Sequence, residues 1–192
     1  REFEGLAIHS GVRDDLDDRQ PFHPLYARLL GAAWDRLPAE IRAMHGVLGR
    51  SEASGRASVE RGAGLLARLA ALAGGFPPAM TDVPVRVRFD AAGGAETWSR
   101  DFHGARFSSV QREGRGGGEG LLVERFGVVS LEMALIVEDG RLVLVPRRWR
   151  ICGVPVPSPL MPRVAAHERV EDDRFRFEVE IRHPLAGLIV RY

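Results

Sequence analysis

A change of hydrophobic period after Asp82 constrains the fold of this chain more than any other feature. From Val83 onward, apolar and polar residues alternate with a period of two, which is the pattern of half-buried strands. Turn signals separate the apolar runs, and Asp139-Gly140 is the clearest because Asp-Gly suits a two-residue hairpin. The prolines of Gly153–Pro162 interrupt the pattern, since proline lacks the N–H that a sheet requires. The pattern therefore predicts a series of antiparallel strands.

The chain before this change has a helical period. Spaced apolar residues from Leu25 to Leu37 predict one helix, Ala39–His45 a second and Gly64–Gly74 a third. A short strand is expected around Arg56–Glu60. The helices are expected to serve as core or as a cap and not as a membrane-surface element, because their exposed faces mix both charge signs. The apolar stripe of the third helix consists of Leu65, Leu66, Leu69, Ala70 and Leu72.

These patterns together predict an α+β fold, with N-terminal helices followed by an antiparallel meander of about eight or nine strands. A meander of that length hides its edges by curling into a barrel or a strongly curved sheet. Residues 1–21, which include the acidic run Asp14–Asp18, are predicted to be a linker or tail. Residues 22–192 are predicted to form a single α+β domain.

Composition and motifs exclude several kinds of chemistry. All 27 basic side chains are arginine, so a Schiff-base lysine and a phosphate-loop lysine are impossible. The net charge of +1 gives no reason to expect nucleic acid or a charged membrane surface as a partner, and the uncharged runs are too short to span a membrane. The single cysteine, Cys152, cannot form an internal disulfide, which favours a reducing cytoplasm. The spacing of the histidines, serines and Gly114–Gly120 fits no metal, nucleophile or nucleotide motif, so no catalytic, metal or cofactor-binding residue is assigned.

Charged residues on apolar strand faces are the candidate ligand-binding site. One face of Ala95–Phe102 carries Glu96, Trp98, Arg100 and Phe102. Two other strand faces place Glu124 between Leu122 and Phe126, and Arg147 among Val143, Val145, Trp149 and Ile151. A buried arginine needs an acidic partner or an anionic ligand, and Glu96 is a ready partner for Arg100. The faces therefore predict either internal ion pairs or a pocket that holds the carboxylate or phosphate of an otherwise apolar ligand.

A set of short motifs resembles an uncharacterised bacterial domain. The motifs are Leu25-Tyr-Ala-Arg-Leu-Leu30 with Leu37-Pro38, Gly74-Gly-Phe-Pro77, Trp98-Ser-Arg-Asp-Phe102, Glu124-Arg-Phe-Gly127, Pro155-Val-Pro157 and His183-Pro-Leu-Ala-Gly-Leu-Ile-Val-Arg-Tyr192. This domain occurs at the C-terminal end of saccharopine-dehydrogenase-like and related NAD(P)-dependent oxidoreductases. The resemblance covers residues 22–192 and carries no catalytic assignment. It implies that a dehydrogenase-like domain, which owns the NAD(P) site, precedes this one as its partner.

Three functions stay open at the level of the sequence. The first is a non-catalytic C-terminal domain of such an oxidoreductase, binding a small, partly apolar and possibly anionic ligand inside a β-barrel. It requires a cavity of roughly 300 Å³ or more at Arg100. The second is a dimerisation or protein-interaction domain without ligand, which requires a filled barrel and an exposed apolar patch. The third is an independent enzyme that uses Glu96 or Glu124 as a base.

Overall fold

Ten antiparallel strands close into a barrel in the computed structural model, which describes residues 4–9 and 23–192. They are β2 (Arg50–Arg61), β3 (Met80–Ala92), β4 (Ala95–Phe102), β5 (Ala105–Glu113), β6 (Leu122–Phe126), β7 (Val129–Glu138), β8 (Arg141–Ile151), β10 (Arg163–Glu171), β11 (Arg174–His183) and β12 (Gly187–Arg191). Around the barrel the order is β2-β12-β11-β10-β8-β7-β6-β5-β4-β3, and β3 pairs with β2 to close the ring. Outside the ring, β1 (Glu4–His9) pairs with β2, and β9 (Val154–Pro155) pairs with β8.

The prediction of an antiparallel barrel is confirmed, but the strand count of eight or nine is wrong. The sequence predicts only a short strand around Arg56–Glu60, whereas β2 extends over Arg50–Arg61. The buried positions of β2 are Ala53, Ala57 and Val59, and such small side chains give a weak hydrophobic alternation. Strand β1 lies within residues 1–21, the stretch predicted as linker or tail. The acidic run Asp14–Asp18 lies outside the described residues.

Two short helices cover one end of the barrel, called here the α1–α2 end. Helix α1 (Leu25–Leu30) stops at Gly31, whose φ of 51° ends the regular helix, and a 3-10 turn follows over Gly31–Arg36. Helix α2 (Ala39–His45) begins after Pro38, next to the Asp139-Gly140 turn of the predicted hairpin. Apolar side chains of both helices, including Leu25, Tyr26, Ile41 and Met44, complete the core.

Helix α3 (Leu65–Ala73) covers the opposite end, called here the α3 end. It buries Ala67 and Ala71 and packs closely on the rim of the barrel. A Cβ built on Gly62 would lie 2.8 Å from Ala67 Cβ, so only small residues fit at this contact. In the described part of the chain, no helix is long and apolar enough to cross a bilayer.

A β-bulge in β8 reverses the facing predicted for its first half. The pairing with β7 skips Arg147, because Pro146 and Arg148 pair with consecutive residues of β7. Leu144 before the bulge and Trp149 after it are therefore both buried, although their spacing is odd. The sequence prediction that Val143, Val145 and Arg147 share the inner face with Trp149 is wrong for this reason. Arg147 is exposed and does not line the interior.

Candidate functional site

The inner face of β4 carries most of the residues that the sequence singles out. Glu96, Trp98 and Arg100 are buried there, as the alternation predicts. The expected pair between Glu96 and Arg100 does not form, because Glu96 Oε2 accepts a hydrogen bond from Trp98 Nε1 at 3.0 Å. Burial raises the pKa of the Glu96 carboxyl above its ordinary value, although this hydrogen bond opposes the shift.

The guanidinium of Arg100 finds its partners within the barrel. Nη1 donates to Ser109 Oγ at 2.9 Å, and Nη2 lies 3.5 Å from Glu124 Oε1. The rings of Trp98 and Phe107 lie 5.1 and 5.2 Å from the guanidinium carbon, within the range of cation–π attraction. The chain itself therefore supplies the countercharge that a buried arginine requires. This geometry matches the alternative of internal ion pairs.

A second buried pair, which the sequence did not single out, joins α2 to β10. His45 Nε2 lies 2.6 Å from Glu168 Oε2, and both side chains are almost completely buried. The ring of Tyr26 stacks on His45 with centroids 3.8 Å apart, and its hydroxyl donates to Gln111 Oε1 at 3.0 Å. The pair spans 123 positions of the chain, so no local pattern predicts it. These contacts fasten the α1–α2 end to the barrel wall.

Little space remains around Arg100 inside the barrel. The two internal cavities at Arg100 measure about 40 and 50 Å³, and both also touch Trp98, Glu168 and Tyr192. Each is large enough for a water molecule, but far below the roughly 300 Å³ that a small-molecule site needs. Side chains therefore fill the interior of the barrel in this structure. Tyr192, which lines both cavities, is buried, and burial raises the pKa of its hydroxyl to about 12.

A broad depression of about 1160 Å³ lies on the outer side of β2–β5 and reaches Arg100. It is open to solvent and is lined largely by exposed polar side chains. Two of its arginines share one carboxylate, since Arg86 and Arg88 lie 3.2 and 2.9 Å from Glu52. Such an open surface is a poor site for a small ligand.

An apolar groove at the α3 end is a better enclosed space. Its volume is about 350 Å³, and it runs between α3 and the rim of the barrel. Almost all of its lining is apolar and includes Leu66, Ala70, Phe126, Val128, Trp149 and Leu185. The Nε1 of Trp149 is buried and has no hydrogen-bond partner in the described part of the chain. Sequence reasoning missed this groove because its lining comes from five separate parts of the chain.

His183 connects two of the segments that line this groove. Its Nδ1 accepts a hydrogen bond from the backbone N–H of Leu185 at 3.1 Å. Its Nε2 lies 3.0 Å from the carbonyl oxygen of Leu160, in the proline-rich loop that follows β9. Both ring nitrogens are therefore used to hold rim segments in place, which gives the apolar wall a fixed shape.

Around the groove, the α3 end exposes many large apolar side chains. This surface is called here the α3 face; it consists of Leu65, Leu66, Leu69 and Leu72 of α3 with Val128, Ile151, Val154, Leu160 and Leu185 of the rim. Leu65 and Leu72 are each 74% exposed. The predicted apolar stripe of α3 thus faces outward, because only the side of the helix that carries the alanines fits the close contact at Gly62. Soluble domains rarely expose so many clustered apolar side chains without a binding role.

In the described residues, no group of three or more His, Cys, Asp or Glu side chains forms a candidate metal site.

Comparisons with known proteins identify a family but no function. A family model described as a domain of unknown function, DUF4166, matches residues 37–192. Neither the curated proteins nor the solved structures contain a match to this chain.

Proposed function

The chain belongs to the DUF4166 family, a domain family of unknown function, and we propose that its barrel is a non-catalytic module that binds an apolar small molecule in the groove beside α3. The observation that carries the proposal is the volume of this groove, about 350 Å³, with an almost wholly apolar lining. Pockets of this size and character are typical of small-molecule sites.

The proposal keeps the ligand class expected from the sequence but moves the site. Inside the barrel, the cavities of about 40 and 50 Å³ leave no room for a ligand unless the core rearranges. Arg100 is already paired with Glu124, so an anionic group has little to gain there. Glu96, Trp98, Arg100 and Glu124 therefore act in this proposal as core residues, and Arg147 lies on the outer surface.

The groove favours a flexible hydrocarbon chain over a polar metabolite. Burial of apolar ligand surface supplies the affinity, at roughly 25 cal/mol per Å². The unpartnered indole N–H of Trp149 leaves one donor for an acceptor atom of a ligand, if the ring shifts slightly. Any anionic head group of the ligand would stay at the rim, where Arg163 is exposed.

The resemblance to C-terminal domains of saccharopine-dehydrogenase-like proteins suggests what such binding achieves. On this proposal, the barrel holds an apolar substrate or product close to an attached dehydrogenase-like domain. NAD(P) binds to that partner domain and not to this one. The barrel contributes hydrophobic binding, and the reaction takes place outside it.

A titration with dodecanoic acid, observed by NMR, tests the proposal. The chain has three tryptophans, and the indole N–H signal of Trp149 is assigned with the variant Trp149→Phe. We expect a saturable shift of this signal, while that of Trp98, which is bonded to Glu96, stays in place. Repeating the titration with dodecan-1-ol shows whether the carboxylate contributes to binding.

A matched pair of variants locates the site. Val128→Trp fills the groove, whereas Val154→Trp adds the same bulk at the same end of the barrel without lining the groove. Both valines are about half or more exposed, so neither substitution disturbs the core. We expect Val128→Trp to weaken dodecanoate binding about tenfold, or roughly 1.4 kcal/mol, and Val154→Trp to leave it unchanged. No saturable binding, or equal effects of the two variants, would contradict the proposal.

The α3 face favours a second candidate function, which is docking onto another molecular surface. A ligand-free interaction domain requires a filled barrel and an exposed apolar patch, and both observations support it. Sedimentation at two concentrations, alone and with the dehydrogenase half, tests a protein partner. A stable monomer that does not bind the dehydrogenase-like domain would count against a protein interface at this face.

The structure offers less support for an independent enzyme. The carboxyl of Glu96 is buried and has a raised pKa, which a general base also shows. A depression of about 280 Å³ beside Pro24 and Arg28 reaches Glu96, but Oε2 of this carboxyl already accepts the hydrogen bond from Trp98. Glu124, the other candidate base, is paired with Arg100. We therefore do not propose an activity for this domain.

A further inference from the structure

We propose that the α3 face docks on an anionic membrane surface, so that the apolar groove opens toward the lipid. This inference rests on the proposed function in one respect only: the apolar groove and the α3 face lie at the same end of the barrel. Its own observations are the exposed leucines of α3 and the distribution of charge between the two ends.

The leucines of α3 are arranged for insertion into an apolar medium. Ala67 and Ala71 face the barrel, so Leu65, Leu69 and Leu72 project from the opposite side of the helix. A surface helix of a soluble domain usually shows the reverse, with polar residues outward. Interfacial segments that lie on a bilayer bury such an apolar face at the boundary of head groups and acyl chains.

The segments that form this face carry a positive net charge. The segments that form it, residues 61–79, 125–131, 147–164 and 181–189, contain eight arginines and no Asp or Glu. Arg68, Arg125 and Arg163 are exposed, and none of them forms an ion pair in the described part of the chain. Arginines beside a leucine surface would contact lipid phosphates while the leucines enter the acyl region.

The opposite end of the barrel has a different character. Its turns carry a negative net charge, because three arginines, Arg115, Arg141 and Arg174, accompany seven acidic residues, namely Glu113, Glu119, Glu138, Asp139, Glu171, Asp172 and Asp173. Leu48 is the one large apolar side chain that α2 and its following loop leave exposed among the described residues. The field of the domain therefore orients the α3 end toward an anionic surface and the α1–α2 end away from it.

This charge pattern favours a membrane over a protein as the occupant of the face. An interface with a protein usually has a rim of mixed polar groups. Here, three of the eight arginines form ion pairs with glutamates of the adjoining strands: Arg148 and Arg150 with Glu132, and Arg182 with Glu180. The exposed Arg68, Arg125 and Arg163 have no such partner in the described part of the chain, which matches an anionic surface. The groove beside α3 would then take up an apolar molecule directly from the bilayer.

Vesicle flotation of the full chain tests this inference. Vesicles of phosphatidylcholine alone are compared with vesicles of phosphatidylcholine and phosphatidylglycerol, at low and at high salt. We expect binding to the mixed vesicles, weaker binding at high salt and little binding to the neutral ones. The double variant Leu69→Glu, Leu72→Glu should lose binding, whereas Leu48→Glu, at the other end, should keep it.

Charge variants test the role of the arginines. Arg68→Glu and Arg163→Glu should each weaken binding to the mixed vesicles at least about fivefold, the value expected for one basic side chain near an anionic surface. Arg141→Glu changes the same charge in the turn at the α1–α2 end and should have little effect. Equal effects at both ends would overturn the proposal.

The outcomes separate this inference from the proposed function. Val128→Trp should still bind vesicles but bind dodecanoate about tenfold more weakly, because it fills the groove without removing the leucines. If the wild-type chain binds neither vesicle type, the membrane proposal is overturned whatever the groove binds. The same holds if the leucine variants abolish self-association or binding to the dehydrogenase half, because the face is then a protein interface.

Discussion

Removal of the Glu168 carboxylate should destabilise this protein far more than removal of a carboxylate on the neighbouring strand. The variant Glu168→Ala leaves His45 without its partner at 2.6 Å, in a place that water does not reach. His45 Nδ1 already lacks a hydrogen-bond partner, so no local group compensates for the loss. A buried ring nitrogen that loses its hydrogen-bond partner costs about 1–3 kcal/mol, and the lost buried methylene adds about 0.8 kcal/mol. We therefore expect Glu168→Ala to cost about 2–4 kcal/mol.

The chain provides a matched control for this experiment. Glu178 on β11 also lies beside a histidine, with His167 Nε2 3.5 Å from its Oε2, but its side chain is 43% exposed. Glu178→Ala should cost less than about 1 kcal/mol, since exposed ion pairs contribute little. At about 2–4 °C per kcal/mol for a chain of this size, Glu168→Ala should lower Tm by roughly 4–16 °C and Glu178→Ala by a few degrees at most.

Thermal unfolding followed by circular dichroism measures both variants, with Glu168→Gln as a milder change that keeps an acceptor for His45. The double variant His45→Phe, Glu168→Leu should recover part of the lost stability, because it leaves no unpaired polar group. Equal losses for Glu168→Ala and Glu178→Ala would refute the reasoning that burial sets the cost.

Two pH-dependent predictions follow from the other buried groups. Burial raises the pKa of Glu96, so its contribution to stability is complete below its ordinary value of 4.5 and is lost as the pH rises through the raised pKa. Glu96→Gln should therefore gain in Tm relative to the wild type as the pH rises above 4.5, and a constant difference across pH would count against a raised pKa. Burial also raises the pKa of Tyr26 well above its usual range and that of Tyr192 to about 12, so absorbance at 295 nm should show no phenolate step near pH 10 in the folded protein. A step near pH 10 without unfolding would show that at least one of the two tyrosines is accessible.

The strand pattern of this protein could be predicted wherever side-chain size made the alternation strong. Glu96, Trp98 and Arg100 face the interior as expected, because aromatic residues mark the inner face of β4. The Asp139-Gly140 hairpin is confirmed, with positive φ at both residues. Strand β2 was underestimated because its buried positions are mostly alanine.

The partners of buried charges could not be predicted in the same way. Arg100 pairs with Glu124 on β6 and not with Glu96, which is nearer in sequence. His45 and Glu168 pair because of the position of α2 over the end of the barrel. The spacing of residues along the chain does not predict that position. A single bulge at Arg147 was enough to move a predicted pocket residue to the surface.

By itself, the sequence determined the elements of this fold, because period and turn chemistry act between residues close along the chain. It therefore predicted three helical segments, a long antiparallel series of strands and the inward face of β4. Only the tertiary structure decided which helix faces were covered. The leucines of α3 predict a core-facing stripe, yet the contact at Gly62 has space only for Ala67 and its neighbour Ala71. Close packing between distant segments thus turned the most apolar side of α3 outward and created the groove and the α3 face.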